Sequence, residues 1–128
     1  MVGIVVVSHS ADLAAGIVDL AHEMAGSEVR IERAGGSDDG RLGTSEDLIR
    51  AAIKAADQGS GVVVLGDLGS AFLTVRSVLQ NGSNGNSVRV ADAPLVEGAI
   101  AAAVSSSAGQ SMDQVADAAE ETRGAKKL

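Results

Sequence analysis

The sequence predicts an α/β fold in which an open, mainly parallel four-stranded sheet is covered by helices on both faces. Three observations carry that expectation. Four short strand-like runs alternate with stretches of helical period, an order that pairs strands in parallel through helical crossovers. Two of the runs, 4–7 and 62–65, are continuous and rich in Val and Ile, as strands buried on both faces must be. The strand-like runs give way to polar or glycine-rich residues, where an open parallel sheet places its ligand site.

The first strand is expected over residues 2–7 (VGIVVV), stopping at Ser8-His9-Ser10. Leu13, Ile17, Leu20 and Met24 follow at helical spacing, which predicts the buried stripe of a first helix. EVRIER at 28–33 alternates charge with Val and Ile and suits a strand near the sheet edge. A polar loop, GGSDDGRLG at 35–43, separates it from a second helix, with Thr44 as N-cap and Asp47 in the capping-box position. GVVVLG at 61–66 is the third strand, and residues 70–80 carry Phe72, Leu73, Val75 and Leu79 on a third helix. NGSNGNS at 81–87 reads as a polar loop, and SVRVAD at 87–92 as an alternating fourth strand. An Ala-rich helix is expected over 95–105, with Val96, Ile100 and Val104 in register. A last amphipathic stretch runs over 111–122, with Gly124 as its stop signal. No internal repeat is visible, and a single domain over 1–128 is expected.

Composition narrows the function. Hydrophobic residues are 45% and charged residues 21%, the balance of a globular chain. The net charge of -7 and the lack of a Lys/Arg cluster argue against a nucleic-acid partner, because counterions must be displaced by clustered cations. Phe72 is the only aromatic residue, so base-stacking platforms are excluded and the core must be aliphatic. With no cysteine, disulfide frameworks, thiolate metal sites and cysteine nucleophiles are excluded. No basic leader or membrane-length apolar run is present, so a cytoplasmic location without a membrane partner is expected.

The two continuous strands end at Ser8-His9-Ser10 and at Gly66-Asp67-Leu68-Gly69-Ser70. One sheet edge would then gather an imidazole, a carboxylate, hydroxyls and two helix N-termini, which suit a phosphoryl group. Plainer roles stand beside this. His9 can be a hydrogen-bonded loop residue, and Asp67 can be the N-cap of the third helix. Ser8 is poorly placed for activation by His9, since adjacent strand residues point apart. His22 lies off the apolar stripe and reads as a surface or interface residue. The sequence contains no Walker A loop, no dinucleotide-binding G-x-G-x-x-G and no G-x-S-x-G elbow. The two histidines have no partners at metal-ligand spacing, so neither a metal nor a cofactor is expected.

Four motifs carry a resemblance: VVVSHS at 5–10, GT at 43–44, GDLGSA at 66–71 and APLVEG at 93–98. Together they resemble the phosphoryl-carrier (DhaM) subunits of bacterial dihydroxyacetone kinases. These belong to the mannose-type IIA family of the phosphoenolpyruvate-dependent phosphotransferase system. The similarity runs from residue 2 to about 115, and DLGSA with APLVEG favours the dihydroxyacetone branch over the sugar-transport branch. The resemblance implies a mannose-IIA-like sheet of order 2-1-3-4 and a homodimer. It implies that His9 becomes phosphorylated beside Asp67, with Ser10, Thr44, Gly69 and Ser70 around the phosphoryl group. It also implies an HPr-type phosphocarrier as donor and, as acceptor, ADP on a DhaL-type subunit that serves a DhaK-type subunit. Since the chain ends at Leu128, the stand-alone form with an external phosphoryl supply is expected. A sugar-transport IIA component and a regulatory module reading phosphorylation state remain the alternatives.

A carrier of this kind needs one imidazole nitrogen with a free lone pair and the other protonated. A carboxylate on the protonated nitrogen fixes the tautomer and stabilises the cation that develops on transfer.

Overall fold

The computed structural model describes residues 1–82 and 87–128. It contains β1 (Gly3–Ser8), α1 (Ala11–Ala25), β2 (Ile31–Gly35), α2 (Glu46–Ala56), β3 (Val62–Gly66), α3 (Gly69–Gln80), β4 (Val88–Val90), α4 (Leu95–Ser107) and α5 (Met112–Glu121). The sheet has order β2-β1-β3-β4 and all three pairings are parallel, as the resemblance implied. The two continuous apolar strands lie at its centre and the two alternating ones at its edges. All six residues of β1 and all five of β3 are buried, which explains why neither strand shows a polar face.

Alternate residues of the central strands feed two cores. Ile4, Val6, Val63 and Leu65 pack with α1, α4 and α5, while Val5, Val7, Val62 and Val64 pack with α2 and α3. α5 is latched to the edge strand by Arg89, which pairs with Asp113, Asp117 and Glu120. Ser111 opens α5 with a full capping box, its hydroxyl accepting from the Gln114 backbone N–H while the Gln114 side chain accepts from the Ser111 backbone N–H.

Several expectations need correction. β2 lies over Ile31–Gly35 rather than 28–33, because its pairing runs in step with β1, from Ile4 opposite Ile31 to Ser8 opposite Gly35. α1 buries Ala14, Ile17, Val18 and Ala21, while Leu13, Leu20 and Met24 are 44%, 44% and 61% exposed. The reason is a close approach of helix and strand. A Cβ at Gly35 would sit 2.7 Å from Ala11 Cα and 2.8 Å from Ala14 Cβ, so only small residues fit between them. α4 repeats the pattern: Ala99, Ala102, Ala103 and Ser106 face inward, Ile100 is half-buried, and Val96 and Val104 are exposed.

The cap of α2 is Ser45, not Thr44; its hydroxyl accepts from Leu48 N at 3.1 Å, and Asp47 lies in the first turn without closing a box. α5 ends at Glu121, and the chain continues through a 3₁₀ turn, Thr122–Gly124. Of the polar loop expected at 81–87, residues 83–86 lie outside the described residues. Among the described residues, no helix is long and apolar enough to cross a membrane.

Candidate functional site

β1 ends at Ser8, and the chain turns through His9 and Ser10 into α1. The turn is held from three sides. Gly36 N donates to Ser8 O at 3.0 Å and Gly43 N to His9 O at 2.9 Å, so the loop between β2 and α2 is fixed against it. Ser10 caps α1, its hydroxyl accepting from Leu13 N at 3.2 Å. Asp67 N donates to Val7 O at 3.2 Å, which extends the β1–β3 ladder by one residue and delivers the Asp67 side chain beside His9.

Four donors converge on that carboxylate. Oδ1 accepts from His9 Nδ1 at 2.9 Å and from Leu68 N at 2.7 Å. Oδ2 accepts from Ser8 Oγ and from His9 N, both at 2.9 Å. Partial burial opposes ionisation of Asp67, but these bonds outweigh it and hold the carboxyl below the usual carboxylate range. An ionised carboxylate only accepts, so His9 Nδ1 must carry the ring proton. The lone pair of the neutral imidazole is then on Nε2, where Ser70 Oγ lies at 2.9 Å as the donor. The His9 side chain is 27% exposed and that of Asp67 12%, so the pair is rooted in the sheet edge with the imidazole the more accessible of the two.

The two plainer roles left open for His9 and Asp67 are thereby weighed. Asp67 bonds one N–H of the α3 entrance, but the N-cap of α3 is Leu68, which offers no side-chain acceptor. The first turn of α3 therefore starts beside His9 without a side-chain cap, and Ala71 N donates to Leu68 O at 3.0 Å. A Cβ at Gly69 would meet nothing within 4 Å, so this corner is open. Thr44 is further off: its hydroxyl pairs with Thr74 Oγ1 at 2.8 Å, and Thr74 lies one turn beyond Ser70 on α3. His22 sits in the last turn of α1, its Nδ1 3.3 Å from Gly26 O.

His9, Asp67 and Ser70 thus form one hydrogen-bonded chain, Ser10 and Gly69 begin the two flanking helices, and Thr44 supports α3. Ser8, set aside in the sequence as a poor nucleophile, is fully buried and bonds both Asp67 and Ser10 N. Turned away from the His9 ring, it meets the carboxylate that arrives from the end of β3. Two clefts flank the site. One, of about 340 Å³, is lined by Gly69, Phe72, Leu73, Arg76, Val90 and Asp92. The other, of about 310 Å³, lies between Ala11, Asp12, Ala15, Arg33, Gly35 and Leu48. Among the described residues, no group of three or more His, Cys, Asp or Glu is placed to hold a metal ion.

The chain matches the family model of the PTS system fructose IIA component over residues 3–116. It is 38% identical over 108 residues to the phosphoryl donor subunit DhaM of PEP-dependent dihydroxyacetone kinase 2 from Listeria innocua, covering 83% of this chain and 86% of that protein. The chain belongs to this IIA family, in its DhaM branch. DhaM of PEP-dependent dihydroxyacetone kinase from Pantoea ananatis is 40% identical over 131 residues; the match covers 98% of this chain but only 28% of that longer protein. Among solved structures, that of a protein of unknown function, EF1359, superposes with a TM-score of 0.87 at 32% identity, covering 99% of this chain and 98% of the other.

Proposed function

We propose that the chain is a cytoplasmic phosphoryl carrier of a dihydroxyacetone kinase, bearing the phosphoryl group on Nε2 of His9. One observation carries the reading: Asp67 occupies Nδ1 and leaves Nε2 as the nucleophilic nitrogen at the open edge of the sheet. The DhaM relatives are phosphoryl donor subunits, which supports the same assignment.

The donor is an HPr-type phosphocarrier. Its phosphorus–nitrogen bond breaks as a bond forms from His9 Nε2 to phosphorus, and the ring proton stays on Nδ1. The imidazole becomes cationic, and Asp67 stabilises that charge. Ser70 must swing off Nε2 for phosphorus to approach, and its hydroxyl can then donate to a phosphoryl oxygen. The first-turn N–H groups of α3 and the Thr44 edge of the neighbouring loop complete the surround, with little covalent machinery required beyond positioning and donors. In the second half-reaction a terminal oxygen of ADP, held on a DhaL-type subunit, attacks phosphorus and the bond to Nε2 breaks. The ATP formed serves a DhaK-type subunit. Both partners are proteins, which agrees with exposed Leu68 and Leu73 at the rim and with small residues at Gly69 and Ser70.

The chain acts as a homodimer. Supporting this, Leu13, Leu20 and Met24 on α1 and Val104 on α4 are exposed on two helices that pack against each other.

The test is direct. Phosphoenolpyruvate, enzyme I and HPr should load one acid-labile phosphate, and an ADP-loaded DhaL-type subunit should discharge it much faster than free ADP does. His9→Ala should take up none while keeping its fold. Labelling that persists in His9→Ala, or rapid discharge to a mannose-type IIB protein alone, would overturn the reading.

A further inference from the structure

We propose that Ser8 is a positioning residue for phosphoryl transfer, acting through Asp67 to fix the tautomer of His9. Its hydroxyl is wholly buried at the end of β1, and both of its hydrogen-bonding directions are determined. Ser10 N donates to Ser8 Oγ at 3.0 Å, which makes that oxygen an acceptor there. The one hydroxyl proton then goes to Asp67 Oδ2 at 2.9 Å. Ser8 is thus the only side chain besides His9 that bonds the Asp67 carboxylate among the described residues. The remaining two donors, His9 N and Leu68 N, are backbone groups close in sequence to the site.

The consequence is rotational. With Oδ2 held by Ser8 and His9 N, the carboxylate plane is set, and Oδ1 is aimed at Nδ1. Without the Ser8 hydroxyl, Oδ2 keeps one donor and Asp67 can turn toward the start of α3, which has no side-chain cap. Nδ1 then loses its acceptor for part of the time, and the Nε2–H tautomer, which cannot attack phosphorus, becomes populated. The same hydroxyl ties the His9–Ser10 peptide to Asp67 by accepting from Ser10 N, so ring and carboxylate are referred to one buried atom.

The inference rests on the carrier reading for its rate assay, but its tautomer assay needs no partner protein. In Ser8→Ala, transfer from phosphorylated HPr to His9 should slow by about tenfold or more, the loss expected for a hydrogen bond to a charged group. Nitrogen-15 spectra of the His9 ring should show the Nδ1–H form giving way to Nε2–H. In an Asp67→Ala background the same Ser8→Ala change should alter the rate by less than about threefold, since residues acting through one another are not additive. Ser8→Cys is slightly larger and puts a weaker donor in the same place. It should unfold near the wild-type midpoint yet transfer slowly, and it replaces Ser8→Ala if the alanine variant does not fold. Equal slowing in both backgrounds, an unchanged tautomer in folded Ser8→Ala, or wild-type rates in Ser8→Cys would overturn the proposal. A chain that takes up no phosphate while Ser8→Ala still shifts the tautomer would refute the carrier reading and uphold the role of Ser8.

Discussion

Asp67→Asn changes little in size and much in bonding. Oδ1 and Oδ2 between them accept four hydrogen bonds, from His9 Nδ1, Leu68 N, Ser8 Oγ and His9 N, at 2.7 to 2.9 Å. An asparagine offers one oxygen and one NH2 group, so two of the four donors lose their acceptor whichever way the amide turns. If the NH2 faces Oδ2's partners, it opposes the His9 backbone N–H, which cannot retreat. If it faces Oδ1's partners, the imidazole can satisfy it only by moving its proton to Nε2, which removes the nucleophile. Each lost bond to the carboxylate is worth about 1.5–3 kcal/mol, so the pair costs about 3 kcal/mol in a site that water partly reaches. At about 1.4 kcal/mol per factor of ten, that predicts transfer at least 100-fold slower. The assay is single-turnover rapid quench with labelled phosphocarrier as donor, with urea unfolding alongside. A folded Asp67→Asn protein that transfers within about threefold of wild type would refute the tautomer argument.

Four further outcomes follow from the same geometry. Ser70→Ala removes the donor 2.9 Å from Nε2; because a bond to phosphoryl charge outweighs one to neutral imidazole, quenched-flow transfer should slow about tenfold, and faster transfer would make Ser70 only a lock on the lone pair. Gly35→Ala would place a Cβ 2.7 Å from Ala11 Cα and 2.8 Å from Ser10 O, so urea unfolding should show a loss of about 1–3 kcal/mol, and an unchanged midpoint would contradict the close approach. Leu20→Glu, on the exposed stripe of α1, should give a monomer mass by light scattering with helix content unchanged, whereas a persisting dimer would place the interface elsewhere. The folded-state Asp67 carboxyl titrates below its ordinary 3.8, so its stabilisation is complete above that value and lost as pH falls through the lower one. The stability gap between wild type and Asp67→Asn should therefore close on acidification below about pH 4, and a gap that stays constant down to about pH 2 would oppose it.

Most of the fold was legible because burial on both faces leaves an unmistakable mark on a strand. The continuous runs of β1 and β3 announced the centre, and the alternating runs the edges. What the sequence hid was the distance between layers. In α1 and α4 a stripe of large aliphatic residues looks like the buried face, yet alanines take most of that face: of the α1 stripe only Ile17 is buried, while Leu13, Leu20 and Met24, and Val96 and Val104 of α4, are exposed. Nothing in a helical period tells whether the neighbour is near or far; that depends on Gly35 and Gly98, where a Cβ would collide with Ala11 Cα at 2.7 Å and Leu65 Cδ2 at 2.9 Å. The site was legible in its two chief residues, because strand ends on adjacent central strands must meet. The N-cap of α2 was misplaced by one residue because Thr44 and Ser45 are both good caps, and the bond from Thr44 to Thr74 decides between them only in three dimensions.

The helix starts beside His9 show where local stability gives way to the site. α1 begins on a serine whose hydroxyl caps it, and so do α2 and α5, while α4 begins on Pro94, which has no side chain able to cap. α3 begins beside the same imidazole on Leu68, with no side-chain cap, although Asp67, a residue type well suited to capping, precedes it directly. A missing cap costs about 1 kcal/mol. The carboxylate that could have recovered it is instead held by His9 and Ser8, with a single bond left to Leu68 N. That choice has two effects that point the same way. It fixes the proton on Nδ1, and it leaves the start of α3 beside His9 without a side-chain cap, so that in the proposed transfer its positive end is available to an anionic phosphoryl group. A residue placed merely to stabilise the fold would have done the opposite, covering the helix end and leaving the histidine to rotate.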